Sequence, residues 1–280
     1  MEFNRHHFAR FAGAEKGPTS VVLAGVHGNE RAGINAFARV VPNLQIDNGV
    51  VWFGYGNVRG TLAGTRDSQG NYGNNLNRMW LPKTELSPQQ RKSYEFKRSR
   101  IIDRYMHQST ALLDIHGTIN PGTIPHIICE PNGYNIARFF PVDLVLSGLD
   151  EHEPGGTDYG MNMLGGIGLC LEAGFNLDPE ASDIAEQGIY AFLAARGHIQ
   201  RQLVARQQRR LAVYETYKTQ TDSFFLQGQW ADFSPVEKDT LIGTDGDKEV
   251  RVKEPSYILY AESPELEKAG EEAFLLARAV

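Results

Sequence analysis

The sequence has few cysteines, no excess of positive charge and no long apolar run, and each shortage excludes a class of protein. The two cysteines, Cys129 and Cys170, each lie in an apolar run, which argues against a disulfide scaffold and a four-thiolate zinc site. The net charge of −6 disfavours nucleic acids and anionic membranes as partners, because both select basic surfaces. No segment resembles a membrane helix or a secretory signal. A small-molecule partner and a reducing, cytoplasmic location are therefore expected.

The order of apolar runs and amphipathic segments predicts an α/β fold with a mostly parallel sheet flanked by helices. With 280 residues, 41% of them hydrophobic, the chain can form one large domain or a domain with an appendage. Short β-branched or aliphatic runs predict strands over 21–26, 50–55, 111–115 and 167–171. Longer periodic segments predict helices over 30–41, 87–106 and 179–205.

The character of the sequence changes after about residue 210. Short alternating segments such as "LAVYETYKT", "TLIGTDGD" and "EVRVKE" replace the long helical ones, and turn residues separate them. This predicts a catalytic domain over 1–210 followed by a small β-rich domain over 211–280.

Two predicted strands end in residues that bind metals. The first runs into "HGNE", which places His27 and Glu30 at the carboxyl edge of the sheet, where open α/β folds bind ligands. The strand in "ALLDIHGT" ends at His116, on the same edge. Two imidazoles and one carboxylate, with a fourth position left for water, form the ligand set of catalytic zinc. A lone histidine after a strand is more often an ordinary loop residue, so the prediction of one zinc ion per chain rests on the three residues together.

Two further carboxylates fit this interpretation. Asp114 lies two residues before His116, on the same side of the strand, and could orient its imidazole. Glu172 closes the apolar run "GIGLCLEAG", where a buried carboxylate is costly unless something uses or pairs it. Beside an activated water it could act as general base and acid; a helix-capping or ion-paired role is the alternative.

A polar loop could supply contacts to the substrate. "GTRDSQGNYGNNLNRMW" contains Arg66, Asn77 and Arg78. Adjacent Asn and Arg side chains offer donors suited to a planar carboxylate, and a further Arg could polarise a carbonyl group. The same composition is typical of any exposed loop, so this interpretation depends on the predicted zinc site.

Four motifs in this order, "HGNE", "NNLNR", "DIHG" and "CLEAG", resemble the succinylglutamate desuccinylase and aspartoacylase family, a branch of the zinc carboxypeptidase superfamily. The resemblance implies a carboxypeptidase-like α/β domain with zinc held by His27, Glu30 and His116. It also implies that Glu172 is the general base and acid. Within the polar loop, it places Asn77 and Arg78 on a substrate carboxylate and Arg66 on the scissile carbonyl, with Arg59 in "NVRG" as a competitor for that last role.

The sequence departs from the family pattern at two places. The family commonly has "DLNR", whereas this chain has Asn75, which accepts a hydrogen bond but brings no charge near the zinc; a modest change in metal affinity is expected. Aspartoacylases also use a cationic residue shortly before the general base, and residues 151–172 contain no Lys or Arg. The resemblance therefore does not extend to N-acetylaspartate as the substrate.

Together these features predict a zinc-dependent hydrolase of an N-acylated amino acid or a related small carboxylate-bearing amide. A metallocarboxypeptidase acting on short peptides would share the metal site, and a non-catalytic binder of metal or carboxylate would have no need for Glu172. A non-haem iron oxygenase also uses two His and one carboxylate, but generally with one residue between the first His and the acid on a β-barrel strand. The sequence leaves open whether the protein is a homo-oligomer and whether Tyr257 or Tyr260 reaches the site.

Overall fold

One large sheet organises the fold in the computed structural model, which describes residues 3–70, 74–118, 121–261 and 263–280. Its first eight strands are β1 Phe8–Ala12, β2 Glu15–Ala24, β3 Asn48–Tyr55, β4 Ala111–Thr118, β5 His126–Ile128, β6 Leu144–Ser147, β7 Ile167–Phe175 and β8 Arg209–Lys218. They lie in the order β1-β3-β2-β4-β7-β5-β6-β8. Only β1 with β3 and β5 with β7 pair in antiparallel fashion, so this part of the sheet is mostly parallel, as predicted.

Helices cover both faces of this sheet. They are α1 Ala32–Val40, α2 Val58–Ala63, α3 Tyr94–Met106, α4 Tyr134–Ala137, α5 Leu149–His152, α6 Thr157–Met163 and α7 Pro179–Ala195, with single 3-10 turns at Val41–Asn43, Leu76–Arg78, Gln90–Lys92 and Pro131–Gly133. In β2, Val22 packs in the core formed with α1 and α7, whereas Val21 packs in the core formed with α3 and α6. A strand buried on both faces explains the unbroken apolar run. None of the helices among the described residues has the length and apolar character to cross a membrane.

After α7, all regular elements in the described part of the chain are strands. They are β8, already given, and β9 Phe224–Leu226, β10 Ser234–Val236, β11 Leu241–Asp245, β12 Lys248–Arg251, β13 Ser256–Leu259, β14 Glu265–Leu266 and β15 Glu272–Ala279. Strands β15, β13 and β10 continue the large sheet beyond β8, and β12-β11-β9-β14 form a second sheet. Because β8 pairs with both β6 and β15, it joins the two parts of the chain. A division into domains at residue 210 stays a prediction.

Helix boundaries differ from the sequence prediction at three places. The helix predicted over 87–106 begins only at Tyr94, because Ser93 has an extended backbone and its side chain accepts a hydrogen bond from the Phe96 amide, which caps the helix. The helix predicted to reach residue 205 ends at Ala195, where Gly197 adopts a left-handed conformation. Helix α1 begins at Ala32 rather than at residue 30, so Glu30 lies in the turn before it.

Candidate active site

Three neighbouring parallel strands bring the predicted catalytic side chains to one edge of the sheet. His27 follows β2 closely, His116 lies near the end of β4, and Glu172 lies directly opposite His116 on β7. All three side chains line a cavity of about 520 Å³. The carboxyl edge of the sheet thus carries the site, as expected for an open α/β fold.

His27, Glu30 and His116 converge so closely that one potential ligand atom from each lies within 4.8 Å of the other two. Nδ1 of His27 is 2.7 Å from one Glu30 carboxylate oxygen, and Nδ1 of His116 is 2.9 Å from the other. All three residues are buried. The structure therefore brings together the three side chains that the sequence predicts as metal ligands.

The hydrogen bonds around His27 orient its Nδ1 atom towards Glu30, as a metal ion shared by these groups would require. The Asn75 Oδ1 atom accepts a hydrogen bond from the Asn77 amide at 2.8 Å, which identifies it as the oxygen. Nε2 of His27 lies 2.9 Å from the same oxygen and must therefore carry a proton. Burial lowers the pKa of His27 and outweighs the attraction of Glu30, which favours the neutral ring, in which Nδ1 carries a lone pair. This lone pair faces a carboxylate oxygen, an arrangement that a bound metal ion resolves.

His116 is held from its other side by Asp114. Its Nε2 atom is 2.9 Å from Asp114 Oδ2, and the hydroxyl of Thr157 donates to the same oxygen at 2.6 Å. Asp114 is fully buried. Burial by itself lowers the pKa of His116, but the Asp114 and Glu30 carboxylates raise it by a larger amount. The resulting pKa lies well above its usual value. Nδ1 of both histidines thus faces Glu30 while Nε2 is anchored, which is how metal-bound histidines are usually oriented.

The charges of Glu30 and Glu172 differ because their surroundings differ. Burial raises the pKa of Glu30, but the two histidines together hold it well below its usual range, so the carboxylate is ionised. Burial raises the pKa of Glu172 to about 8; His116 opposes this shift and Glu30 adds to it. A carboxyl group that titrates near neutral pH can both accept and donate a proton. A divalent cation nearby would favour its ionised, proton-accepting form.

The two candidate arginines for the scissile carbonyl lie in different environments. Arg66 lines the cavity, and its Nη1 atom donates to Glu30 at 3.2 Å. The guanidinium of Arg59 lies over the Tyr94 ring, 4.4 Å from its centre. The geometry therefore favours Arg66 for a role in the site. The loop between Arg66 and Asn77 includes residues 71–73, which lie outside the described residues.

Asn77 and Arg78 also line the cavity, and both have partners in the protein. Asn77 accepts a hydrogen bond from the Thr157 amide through Oδ1, so its NH2 group is the side available to a ligand. Arg78 donates to its neighbour's carbonyl oxygen and, through Nη2, to Glu153 Oε2 at 3.0 Å. The guanidinium that the sequence predicts as a carboxylate binder is thus already paired with a carboxylate of the protein.

The C-terminal part of the chain closes one side of the cavity. Asp232, Tyr260, Glu272 and Leu275 line it. The Tyr260 hydroxyl is 3.0 Å from Nε2 of the buried His126, and Nδ1 of His126 contacts the Ile124 carbonyl oxygen. Tyr260 therefore reaches the site, whereas Tyr257 lies under the Arg209 guanidinium.

Sequence reasoning missed Thr157, Glu153 and Glu272. Thr157 begins helix α6 in "GGTDYG". Its amide donates a hydrogen bond to Asn77, and its hydroxyl donates one to Asp114. The glycine pair followed by Thr and Asp signals a helix start, but nothing local indicates which residues it contacts. The two glutamates lie in unremarkable polar segments and meet the site only through tertiary packing.

Comparisons with known proteins agree with this geometry. The family model of the succinylglutamate desuccinylase/aspartoacylase catalytic domain matches residues 16–196. None of the curated proteins compared with the chain matches it. The matched segment contains the site residues discussed above except those that follow helix α7.

Solved structures share the fold over nearly the whole chain. A succinylglutamate desuccinylase/aspartoacylase from Rhodobacter sphaeroides is 16% identical, with a TM-score of 0.74 over 98% of this chain and 89% of that one. A succinylglutamate desuccinylase from Vibrio parahaemolyticus is 15% identical, with a TM-score of 0.79 over 98% of this chain and 91% of that one. An aspartoacylase family protein from Mesorhizobium loti is 19% identical, with a TM-score of 0.63 over 100% and 97% of the two chains. The chain belongs to the succinylglutamate desuccinylase/aspartoacylase family.

Proposed function

We propose that the protein is a zinc-dependent hydrolase that cleaves the amide bond of an N-acylated amino acid or a related small carboxylate-bearing amide. The observation that carries this proposal is the meeting of His27, Glu30 and His116 beside Glu172 in one cavity. A bound zinc ion supplies Lewis acidity, which polarises a carbonyl group and makes water a better nucleophile at neutral pH. His27, Glu30 and His116 would hold it.

Glu172 acts as the general base and then as the general acid. It accepts a proton from the attacking water and returns it to the nitrogen of the leaving amine. Its position on β7, directly opposite His116, places the carboxyl group next to the candidate metal site. A pKa of about 8 in the absence of a cation means that the protonated form is accessible near neutral pH.

The remaining side chains position the substrate. Arg66, whose side chain is 39% exposed at the cavity wall, polarises the scissile carbonyl. Asn77 presents its NH2 group and Arg78 its guanidinium to the substrate carboxylate. The residues of the C-terminal strands limit the length of a substrate that can enter, which favours a small amide over a peptide.

The proposal is tested by a hydrolysis screen with zinc-loaded protein. The substrates are N-acyl amino acids, with the acyl and amino portions varied separately, and tripeptides of matched composition. We expect one zinc per chain by metal analysis and a kcat/KM for the best N-acyl amino acid that exceeds that of any tripeptide. Turnover of tripeptides alone would indicate a carboxypeptidase, and zinc binding without any hydrolysis would indicate a non-catalytic binder.

A further inference from the structure

The cavity is lined by more carboxyl groups than arginine side chains. Beyond Glu30 and Glu172, its walls include five carboxyl groups: those of Asp150, Glu153, Asp158, Asp232 and Glu272. The arginines in the described walls are Arg66 and Arg78. Each of them is paired with a wall carboxylate, Arg66 with Glu30 and Arg78 with Glu153. The two arginines therefore leave an excess of acceptors.

Glu153 has one carboxylate oxygen that the protein leaves unsatisfied. Its side chain is only 9% exposed, and Oε2 accepts the hydrogen bond from Arg78. Oε1 is buried, and no amide, hydroxyl or cationic group of the described residues donates a hydrogen bond to it. A buried carboxylate oxygen without a donor is costly, and such atoms are rare outside functional sites.

Glu272 is a neighbour of Glu153 in the cavity wall. Strand β15 brings it to the cavity wall, and its carboxyl group is a hydrogen-bonding neighbour of Glu153. The Glu272 residue is partly exposed to solvent, but the cavity walls around its carboxyl group and the charge of Glu153 raise its pKa to about 7, while Arg78 and Lys218 oppose the shift. Two adjacent carboxylates need a shared proton or another cation between them. Lys218 lies opposite Glu272 in the register of strands β8 and β15, but it does not line the cavity. Its ammonium group therefore does not lie between the two carboxyl groups.

We propose that Glu153 and Glu272 form a subsite for an ammonium group on the amino portion of the substrate. This inference rests on the proposed function and specifies its substrate class: the N-acyl derivative of a diamino acid, with one nitrogen acylated and the other free and protonated. The free ammonium group donates to Glu153 Oε1 and to the Glu272 carboxylate, and it replaces the proton that they share.

An ammonium group suits this position better than a second metal ion. Among the described residues, the one group of three or more His, Cys, Asp or Glu side chains whose ligand atoms converge is His27, Glu30 and His116. Glu153 and Glu272 together offer more than one carboxylate oxygen as an acceptor, which suits the three donors of an ammonium group. The position is also consistent with the absence of Lys and Arg from residues 151–172, where a substrate carboxylate would require a cation.

The experiment compares three substrates with side chains of similar length and different charge: Nα-acetyl-L-ornithine, N-acetyl-L-glutamine and N-acetyl-L-glutamate. We expect kcat/KM of the zinc-loaded full chain to fall in that order, with the ornithine derivative about 10- to 100-fold above the glutamine derivative. Glu272→Gln and Glu153→Gln should each remove most of this preference. Glu271→Gln, which changes the neighbouring glutamate outside the cavity lining, should retain it.

Calorimetric binding of free L-ornithine, L-glutamine and L-glutamate provides a second readout that does not need turnover. Tighter binding of L-ornithine than of L-glutamine, lost in Glu272→Gln, supports the subsite even without turnover. If no compound of the N-acyl amino acid screen is hydrolysed either, the proposed function fails alone. A preference for the glutamate derivative, or an ornithine preference that survives both substitutions, overturns the subsite while leaving the hydrolase proposal intact.

Discussion

Thr157 and His116 share a single oxygen atom of Asp114. The hydroxyl of Thr157 and the Nε2 atom of His116 lie 2.6 Å and 2.9 Å from Asp114 Oδ2. The other Asp114 oxygen is buried and has no hydrogen-bond partner in the described part of the chain. The orientation of a candidate metal ligand therefore depends on a hydroxyl group that begins a short helix far along the chain.

Replacing Thr157 by Val should weaken zinc binding about 10-fold. Valine has nearly the same shape but leaves Asp114 Oδ2 with only His116 as a donor, so the carboxylate holds the imidazole less firmly. Zinc affinity is measured by competition with a chromophoric chelator. Thr157→Ser retains the hydroxyl and should bind zinc nearly as the wild type does; equal affinity for all three proteins would contradict this role.

Replacing Asn75 by Asp should strengthen zinc binding, by up to about 10-fold. The Oδ1 atom of Asn75 already contacts His27 Nε2 and accepts from the Asn77 amide, so an aspartate can keep both contacts. The added negative charge makes His27 a more basic ligand. The same chelator competition measures the effect. Unchanged binding would show that this contact does not tune the site, and weaker binding would contradict the expected direction of the effect.

Glu172→Gln should lower kcat by about 10² to 10⁴ and leave the zinc content unchanged. Glutamine keeps the shape of the side chain but cannot accept and return a proton. Metal analysis and steady-state kinetics on the same preparation separate the two effects. Glu151→Gln, which removes a charge from the exposed face of α5, is the matched control. Undiminished turnover in Glu172→Gln would remove this residue from the mechanism.

Gly28→Ala should destabilise the protein by about 1–3 kcal/mol and weaken zinc binding. A Cβ atom at this position would lie 2.1 Å from the Gly60 carbonyl carbon, and the Gly28 amide donates to the Arg66 carbonyl oxygen at 3.0 Å. The glycine of "HGNE" therefore allows the metal-binding turn to pack directly on the backbone of α2. Denaturant unfolding and chelator competition measure the change. An unaltered unfolding free energy would show that α2 moves aside freely.

The stability difference between the wild type and Glu272→Gln should depend on pH. The pKa of Glu272 is raised from 4.5 to about 7 in the folded state. The folded protein therefore binds more protons than the unfolded chain between these values, and its free energy of unfolding falls as pH rises through this window. Glutamine does not titrate, so the variant lacks this fall. Urea unfolding at pH 4.5 to 8 tests the expectation. Glu271→Gln is the control and should follow the wild-type pH profile. Parallel pH profiles of wild type and Glu272→Gln would contradict the expectation.

Local sequence was enough to predict the central strands and the family. The run before His27 is apolar because β2 is buried on both faces, and that pattern is visible in a few residues. The helix ends were less predictable. Ser93 and Ser87 both precede plausible helices, and the choice between them depends on packing of α3 against the sheet, which no short window of sequence contains.

By itself, the sequence determined which strands end in candidate metal ligands, because parallel strands place their carboxyl ends at one edge and the polar residues follow directly. Only the tertiary structure decided what surrounds those ligands. The contacts of Thr157 with Asp114, of Arg78 with Glu153 and of Glu153 with Glu272 join residues distant in the chain. Such contacts follow from how helices and C-terminal strands pack on the sheet, and that packing leaves no periodic or local signature in the sequence.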